Sequence, residues 1–187
     1  MELSKARDIA DQVIERLRPH CERVQIAGSI RRGKERVKDI EIVASPLLYH
    51  EADLLGEQVT VNPFERYPWG YLGYVMKNGT RYKQIALAGF SGQVEAISLD
   101  LLIVLPPAQW GVIYTIRTGP AEFSHWCVTQ RKKGGGLPSN CVVKDGGVHR
   151  VGDHRSPLQL IPMTEELEFL DFLGLGWVEP GERKPRW

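Results

Sequence analysis

An α+β fold is what the sequence predicts, from three observations. These are an amphipathic helical stretch at the N-terminus, several separate apolar strand-like runs, and one strong hairpin signal. In the first stretch Leu3, Ala6, Ile9, Ala10, Val13, Ile14 and Leu17 share one helical face. Asp8, Asp11, Glu15 and Arg18 lie largely opposite, and Pro19 marks the stop. Packing is the simplest role for such a helix. Residues 23–27 alternate and run into Gly28-Ser29, which predicts a strand; residues 39–44 predict a second, with the basic segment 30–38 between them. Pro63, Pro68 and Gly70 break up residues 47–70, which predicts loop with at most a short strand. Asn78-Gly79 is the hairpin signal, with arms at 71–77 and 80–88. Residues 94–105 form the most apolar segment and predict a third strand, ended by Pro106-Pro107. Helices are expected near 107–117 and 120–132. Gly134-Gly135-Gly136 then marks a composition shift and is expected to be a hinge. Beyond it come short strands at 140–144 and 148–150, a helix over 164–173, and a basic, partly disordered tail over 180–187 with Arg183, Lys184 and Arg186. The expected division is a main domain over 1–133 and a small C-terminal subdomain over 134–187.

Composition narrows the function classes. The 187 residues are 42% hydrophobic and 25% charged, enough for one domain with a core, or one plus a small annex. Lys and Arg number 24 against 23 Asp and Glu, a net charge of +1, so any nucleic-acid contact has to be local. No apolar run approaches the roughly 20 residues of a membrane span, and the N-terminus has no signal-peptide stretch. No membrane partner is expected. Cys21, Cys127 and Cys141 are odd in number and widely spaced, against a disulfide framework or a zinc knuckle. The expectation is a soluble, intracellular protein of a reducing compartment.

Residues two apart on a strand project from one face, so Asp39 and Glu41 point one way and Ile40 and Ile42 the other. Two adjacent carboxylates repel, and burying them without a cation is costly. A divalent ion with oxygen ligands resolves both problems. Asp100 adds a third carboxylate inside the apolar run Leu99 to Val104, where a lone Asp needs a partner. Gly28-Ser29, at the end of a strand, offers backbone donors and a hydroxyl to a phosphate, and Arg31 and Arg32 add forked cations suited to the same group. Together these residues have the parts of metal-assisted phosphoryl or nucleotidyl transfer.

Gly28-Ser29, the basic linker and Asp39-Ile40-Glu41 resemble the signature of the nucleotidyltransferase superfamily. GSIRRG looks specifically like the family X DNA polymerases, the DNA polymerase beta group. ISLDLLIVLPPAQWG resembles that family's strand with the third catalytic aspartate, here Asp100. Thr118-Gly119, followed by Phe123, looks like its threonine-glycine turn beside the nucleotide's sugar and base. IPMTEELEFLDFLGLGWVEPGER is similar to its C-terminal ending. The likeness spans about residues 20–183. It implies a nucleotidyltransferase palm with a mixed sheet and covering helices, closed over a nucleotide by a small α+β subdomain. It implies catalytic, metal-binding Asp39, Glu41 and Asp100 with two Mg²⁺ ions, for which Mn²⁺ substitutes. Nucleotide contacts would fall to Gly28, Ser29, Arg32, Lys38, Arg117, Thr118 and Gly119. The implied activity is DNA-directed DNA synthesis from nucleoside triphosphates on primer-template or gapped DNA, filling short gaps in repair. The implied form is a monomer in the cytoplasm or at the nucleoid. A template-independent or non-DNA nucleotidyltransferase and a non-catalytic DNA- or nucleotide-binding relic are the alternatives.

The chain departs from the family pattern at several positions. Glu41 stands where an aspartate is usual, Lys38 where DNA polymerase beta has a glycine, and Ile116-Arg117 where an aromatic pair is common. Ser98 replaces a familiar arginine two residues before Asp100. The helix-hairpin-helix and lyase regions that precede the family's catalytic core are missing, so a minimal, two-part polymerase is expected. Arg81 and Lys83 read equally as DNA-phosphate contacts or as a cross-strand surface pair. Arg131 and Lys132 read equally as DNA contacts or as cations favoured at a helix C-terminus. His149, His154, Cys141 and Asp153 match no standard metal spacing. Trp69, Tyr71, Trp110, Trp126 and Trp177 read mainly as packing, with His125 and Trp126 the best candidates to stack on a base.

Overall fold

The computed structural model describes residues 1–90, 96–152 and 157–186. In chain order its elements are α1 (Leu3–Leu17), β1 (Cys21–Ile26), α2 (Gly28–Arg31), β2 (Asp39–Pro46), β3 (Tyr49–Ala52) and β4 (Gln58–Val61). Then come α3 (Pro63–Arg66), β5 (Gly73–Asn78), β6 (Tyr82–Leu87), β7 (Ile97–Ile103), α4 (Trp110–Thr118) and α5 (Ala121–Val128). The last are β8 (Cys141–Lys144), β9 (Gly147–Arg150), β10 (Gln159–Ile161) and α6 (Glu166–Phe172). The α+β expectation holds. The chain forms two compact units, Met1–Ile26 with Glu35–Ile103, and Ala27–Lys34 with Val104–Trp187.

The first unit is built on a five-stranded sheet in the order β1-β2-β7-β6-β5. Only β2 and β7 run parallel; the other neighbours are antiparallel, so the sheet is mixed. Alternation fixes its two faces. Ile40, Ile42, Ile85, Leu99 and Leu101 are fully buried, while Asp39, Glu41, Gln84, Ser98 and Asp100 between them are half-buried. Helix α1 lies against β1 and β2 and buries the apolar stripe read from its sequence. The segment 47–70 is more ordered than expected: β3 and β4 pair as a hairpin, with Asp53 Oδ1 accepting from Leu55 N and Glu57 N. Val61 is the one buried residue of its strands, and Leu54 and Leu55 are exposed at the turn, so no alternating apolar pattern revealed it.

In the second unit β8, β9 and β10 form an antiparallel sheet in the order β10-β9-β8. Its core joins Val112 of α4, Phe123, Trp126 and Cys127 of α5, Leu137, Val148, Met163, and Phe169 and Leu170 of α6. This shared core corrects the expected boundary at 133/134, because residues on both sides of the triple glycine pack into one cluster. Gly135 and Gly136 are close-packed while Gly134 is exposed at φ +84°, which corrects the expectation of a three-glycine hinge. Gly135 N donates to Gln130 O and Gly136 N to Trp126 O. A Cβ on Gly135 would lie 1.9 Å from Thr129 O, and one on Gly136 2.4 Å from the Trp126 ring. Arg183, expected in a loose tail, is buried. All three cysteines are free, and no described helix is long and apolar enough to cross a membrane.

Candidate active site

The parallel pairing of β2 with β7 sets Glu41 directly opposite Asp100 and Asp39 opposite Ser98. Paired strands lie about 4.8 Å apart and residues two along a strand about 6.6 Å apart. Asp39, Glu41 and Asp100 therefore rise from one small patch of the half-buried face. Asp39 and Glu41 are kept there by Ile40 and Ile42 on the other side, and Asp100 by Leu99 and Leu101. A shift of one residue in either strand would send these carboxylates into the core, so the apolar pattern itself fixes the register.

The next strand adds a fourth group. Gln84 of β6 is opposite Asp100, and Tyr82, two residues away on the same face, donates from its hydroxyl to Asp100 Oδ1 at 2.8 Å. The Ser98 Oγ is buried without a hydrogen-bond partner. Among the described residues, no three His, Cys, Asp or Glu side chains converge closely enough to hold a metal as they stand. The donor set is nevertheless all oxygen and anionic, the chemistry Mg²⁺ and Mn²⁺ take. The residues fit such an ion by type and by shared face.

Within the second unit the expected phosphate motif is a single tight turn. Gly28 has φ +58°, open to glycine at little cost, and Arg32 N, Gly33 N and Lys34 N donate back to Gly28, Ile30 and Ser29 carbonyls. Arg32 Nη1 donates to Thr118 O at 2.7 Å and to Gly119 O at 3.1 Å, joining the two sequence motifs assigned to the nucleotide. The Ser29 Oγ and Arg32 Nε are buried and unpartnered. Such groups are costly to leave without a hydrogen bond.

Arg31 is engaged elsewhere. Its guanidinium forks onto Glu166 Oε1 and Oε2 at 2.8 and 2.6 Å, donates to Thr118 Oγ1 at 2.7 Å and stacks on Tyr114. Arg183 Nη1 reaches Glu166 Oε1 at 2.8 Å from the other side. Burial pushes the Glu166 pKa up, but the hydrogen bonds from Arg31 and Arg183 outweigh it and hold the carboxyl below its ordinary 4.5. Sequence reasoning took Arg31 as a phosphate ligand and did not see this cluster. Its members lie up to 152 positions apart, and nothing local pairs them.

No protein-family model and no curated protein matches this chain.

Other expected contacts fall as follows. Lys38 and Arg117 are exposed, as are Arg81 and Lys132. Lys83 is 5% exposed, which corrects its reading as a DNA contact: Nζ donates to Asn78 Oδ1 and Gly79 O, closing the hairpin turn, and sits over the Trp69 ring. Burial also lowers its pKa. Arg131 is exposed and donates to Gly136 O and Leu173 O. Trp126 is core, with Nε1 donating to Arg186 O, so of the two expected base-stacking residues only His125 is exposed. His149 is buried and hydrogen-bonds Gly147 O, while Asp153 and His154 lie outside the described residues.

Proposed function

We propose that the protein is a nucleotidyltransferase of the family X type, a DNA-directed DNA polymerase that extends a primer from nucleoside triphosphates. The observation that carries this reading is the Glu41–Asp100 register, which gives Asp39, Glu41 and Asp100 a common face beside apolar strands. In this reading the first unit is the nucleotidyltransferase palm. Asp39, Glu41 and Asp100 would hold two Mg²⁺ ions, which when bound supply Lewis-acid activation of the primer hydroxyl and neutralise triphosphate charge. Asp100 accepts the proton of the primer 3′-hydroxyl. The orphaned Ser29 Oγ and Arg32 Nε donate to phosphate oxygens, which explains why a fold would leave both buried without partners. Arg32 also fixes the Thr118-Gly119 turn through its two carbonyls, orienting the sugar side of the nucleotide. The exposed Lys38 and Arg117 are free to follow the triphosphate. Filling short gaps in repair, as an intracellular monomer, completes the proposal.

A template-independent or non-DNA nucleotidyltransferase is the second reading. The burial of Lys83 favours it, since it removes a cation that would grip duplex phosphates. Extension of a labelled primer, with and without a template strand and with each of the four nucleotides, separates the readings. Template-dictated incorporation supports the polymerase, and untemplated transfer the second reading. No transfer with Mg²⁺ or Mn²⁺ leaves a binding relic.

A further inference from the structure

We propose that Tyr82 is a positioning residue for Asp100: its phenol holds Oδ1 and so presents Oδ2 to the cation and the reacting hydroxyl. This rests on the nucleotidyltransferase reading and adds a residue that neither the carboxylates nor the Gly-Ser turn imply. The Tyr82 hydroxyl donates to Asp100 Oδ1 at 2.8 Å, an ordinary length for such a bond. A carboxylate swings freely about its own bond, and its two oxygens are equivalent until something distinguishes them. Tyr82 distinguishes them.

The phenol comes from a fixed place. Strand β6 pairs with β7 along its whole length, with Gln84 opposite Asp100, which makes Tyr82 the diagonal neighbour on the same face. Diagonal partners are within reach of an aromatic side chain but too distant for a short one. Ile103 N donates to Arg81 O at 2.9 Å, anchoring the start of β6 beside β7. Lys77 Nζ stands over the Tyr82 ring at 5.6 Å. The side chain has only two torsions, and its strand is held by the ladder.

Its chemistry also suits the task. An arginine or lysine bonded to Asp100 would bring a positive charge into competition with a divalent cation. A phenol donates one hydrogen bond and brings no charge. Nearby Ser98 does not serve in its place, because its Oγ is buried without a partner. Hydrogen-bond partners of metal-ligating carboxylates and imidazoles commonly change metal affinity or activity 10–100-fold when removed.

Mn²⁺ binding to the protein without nucleotide, followed by the loss of the free-ion electron paramagnetic resonance signal, tests the proposal. Wild type, Tyr82→Phe, Asp100→Asn and the double variant are compared, with melting curves as the folding control. Tyr82→Phe should weaken Mn²⁺ binding about tenfold and weaken it no further once Asp100 is Asn. In primer extension it should lower kcat while leaving KM for the nucleotide near the wild-type value. Wild-type Mn²⁺ affinity in Tyr82→Phe overturns the proposal, as does an equal loss with and without Asp100. If Asp100→Asn itself leaves Mn²⁺ binding unchanged, the nucleotidyltransferase reading fails instead. Should Tyr82→Phe not fold, wild-type protein labelled with ¹³C at the tyrosine ring ζ carbon decides. One tyrosine signal that shifts in Asp100→Asn should be broadened first as Mn²⁺ is added. Its remaining sharp while other signals broaden overturns the proposal.

Discussion

Asp100 and Glu166 are both carboxylates drawn at least partly out of solvent, and the molecule treats them in opposite ways. Glu166, in the second unit, is 5% exposed and clasped by two guanidiniums, Arg31 in a fork and Arg183 from the far side. Asp100, in the first unit, is half-buried, lies opposite another carboxylate, and takes a hydrogen bond from an uncharged phenol. Removing a charge from a compensated cluster costs stability, because its partners stay buried. Removing one from a set of like charges relieves repulsion. On the proposed reading the contrast separates a carboxylate that builds the fold from one kept for a cation, and substitutions at the two sites should fail in different ways.

The largest expected effect is at the first site. Asp100→Asn nearly keeps the side chain's shape and should keep the melting temperature, yet reduce nucleotide transfer by several orders of magnitude in a primer-extension assay. Near-parental transfer at saturating metal would erase the distinction between the two carboxylates. At the second site, Glu166→Gln leaves Arg31 and Arg183 without their shared anion and should cost about 3–5 kcal/mol in a denaturant titration. A loss under about 1 kcal/mol would place Glu166 among weak surface pairs. A subtler effect comes from acid. The folded pKa of Glu166 lies below its ordinary 4.5, so its contribution to stability is complete above that value and disappears as pH falls through the folded pKa. Wild type should therefore lose more stability than Glu166→Gln between about pH 4.5 and the acid transition, read from melting temperatures at stepped pH. Parallel curves would contradict the ion-pair assignment.

The two sites also differ in how far the sequence exposed them. Alternation alone put Asp39 and Glu41 on one face and marked Asp100 as a charge needing a partner. Only the β2–β7 register, a contact between strands some 60 residues apart, brought the three together. Tyr82 had a weaker trace: it alternates with Gln84 and Ala86 against buried Ile85 and Leu87, but which neighbour it met depended on the sheet order. The Glu166 cluster left no local trace. Glu166 fell only within the helix expected over 164–173, Arg31 read as a phosphate ligand and Arg183 as part of a loose tail.

The misread segments have a common cause. A glycine run looks like a linker in sequence, whereas Gly135 and Gly136 lack side chains because Thr129 and Trp126 occupy that space. Lys83 looked like a surface cation because its acceptors, Asn78 and Gly79, become neighbours only when the hairpin closes. Local pattern reports which face a residue takes; it does not report what meets it there.

Direct titration of the protein with Mn²⁺, without DNA or nucleotide, tests the central claim most simply. Saturable binding should be present in wild type, persist in folded Glu166→Gln, and be weakened at least tenfold in Asp39→Asn and Asp100→Asn. Binding that is absent from wild type, or equal in all four proteins, would contradict the assignment of Asp39, Glu41 and Asp100 as the metal-holding face.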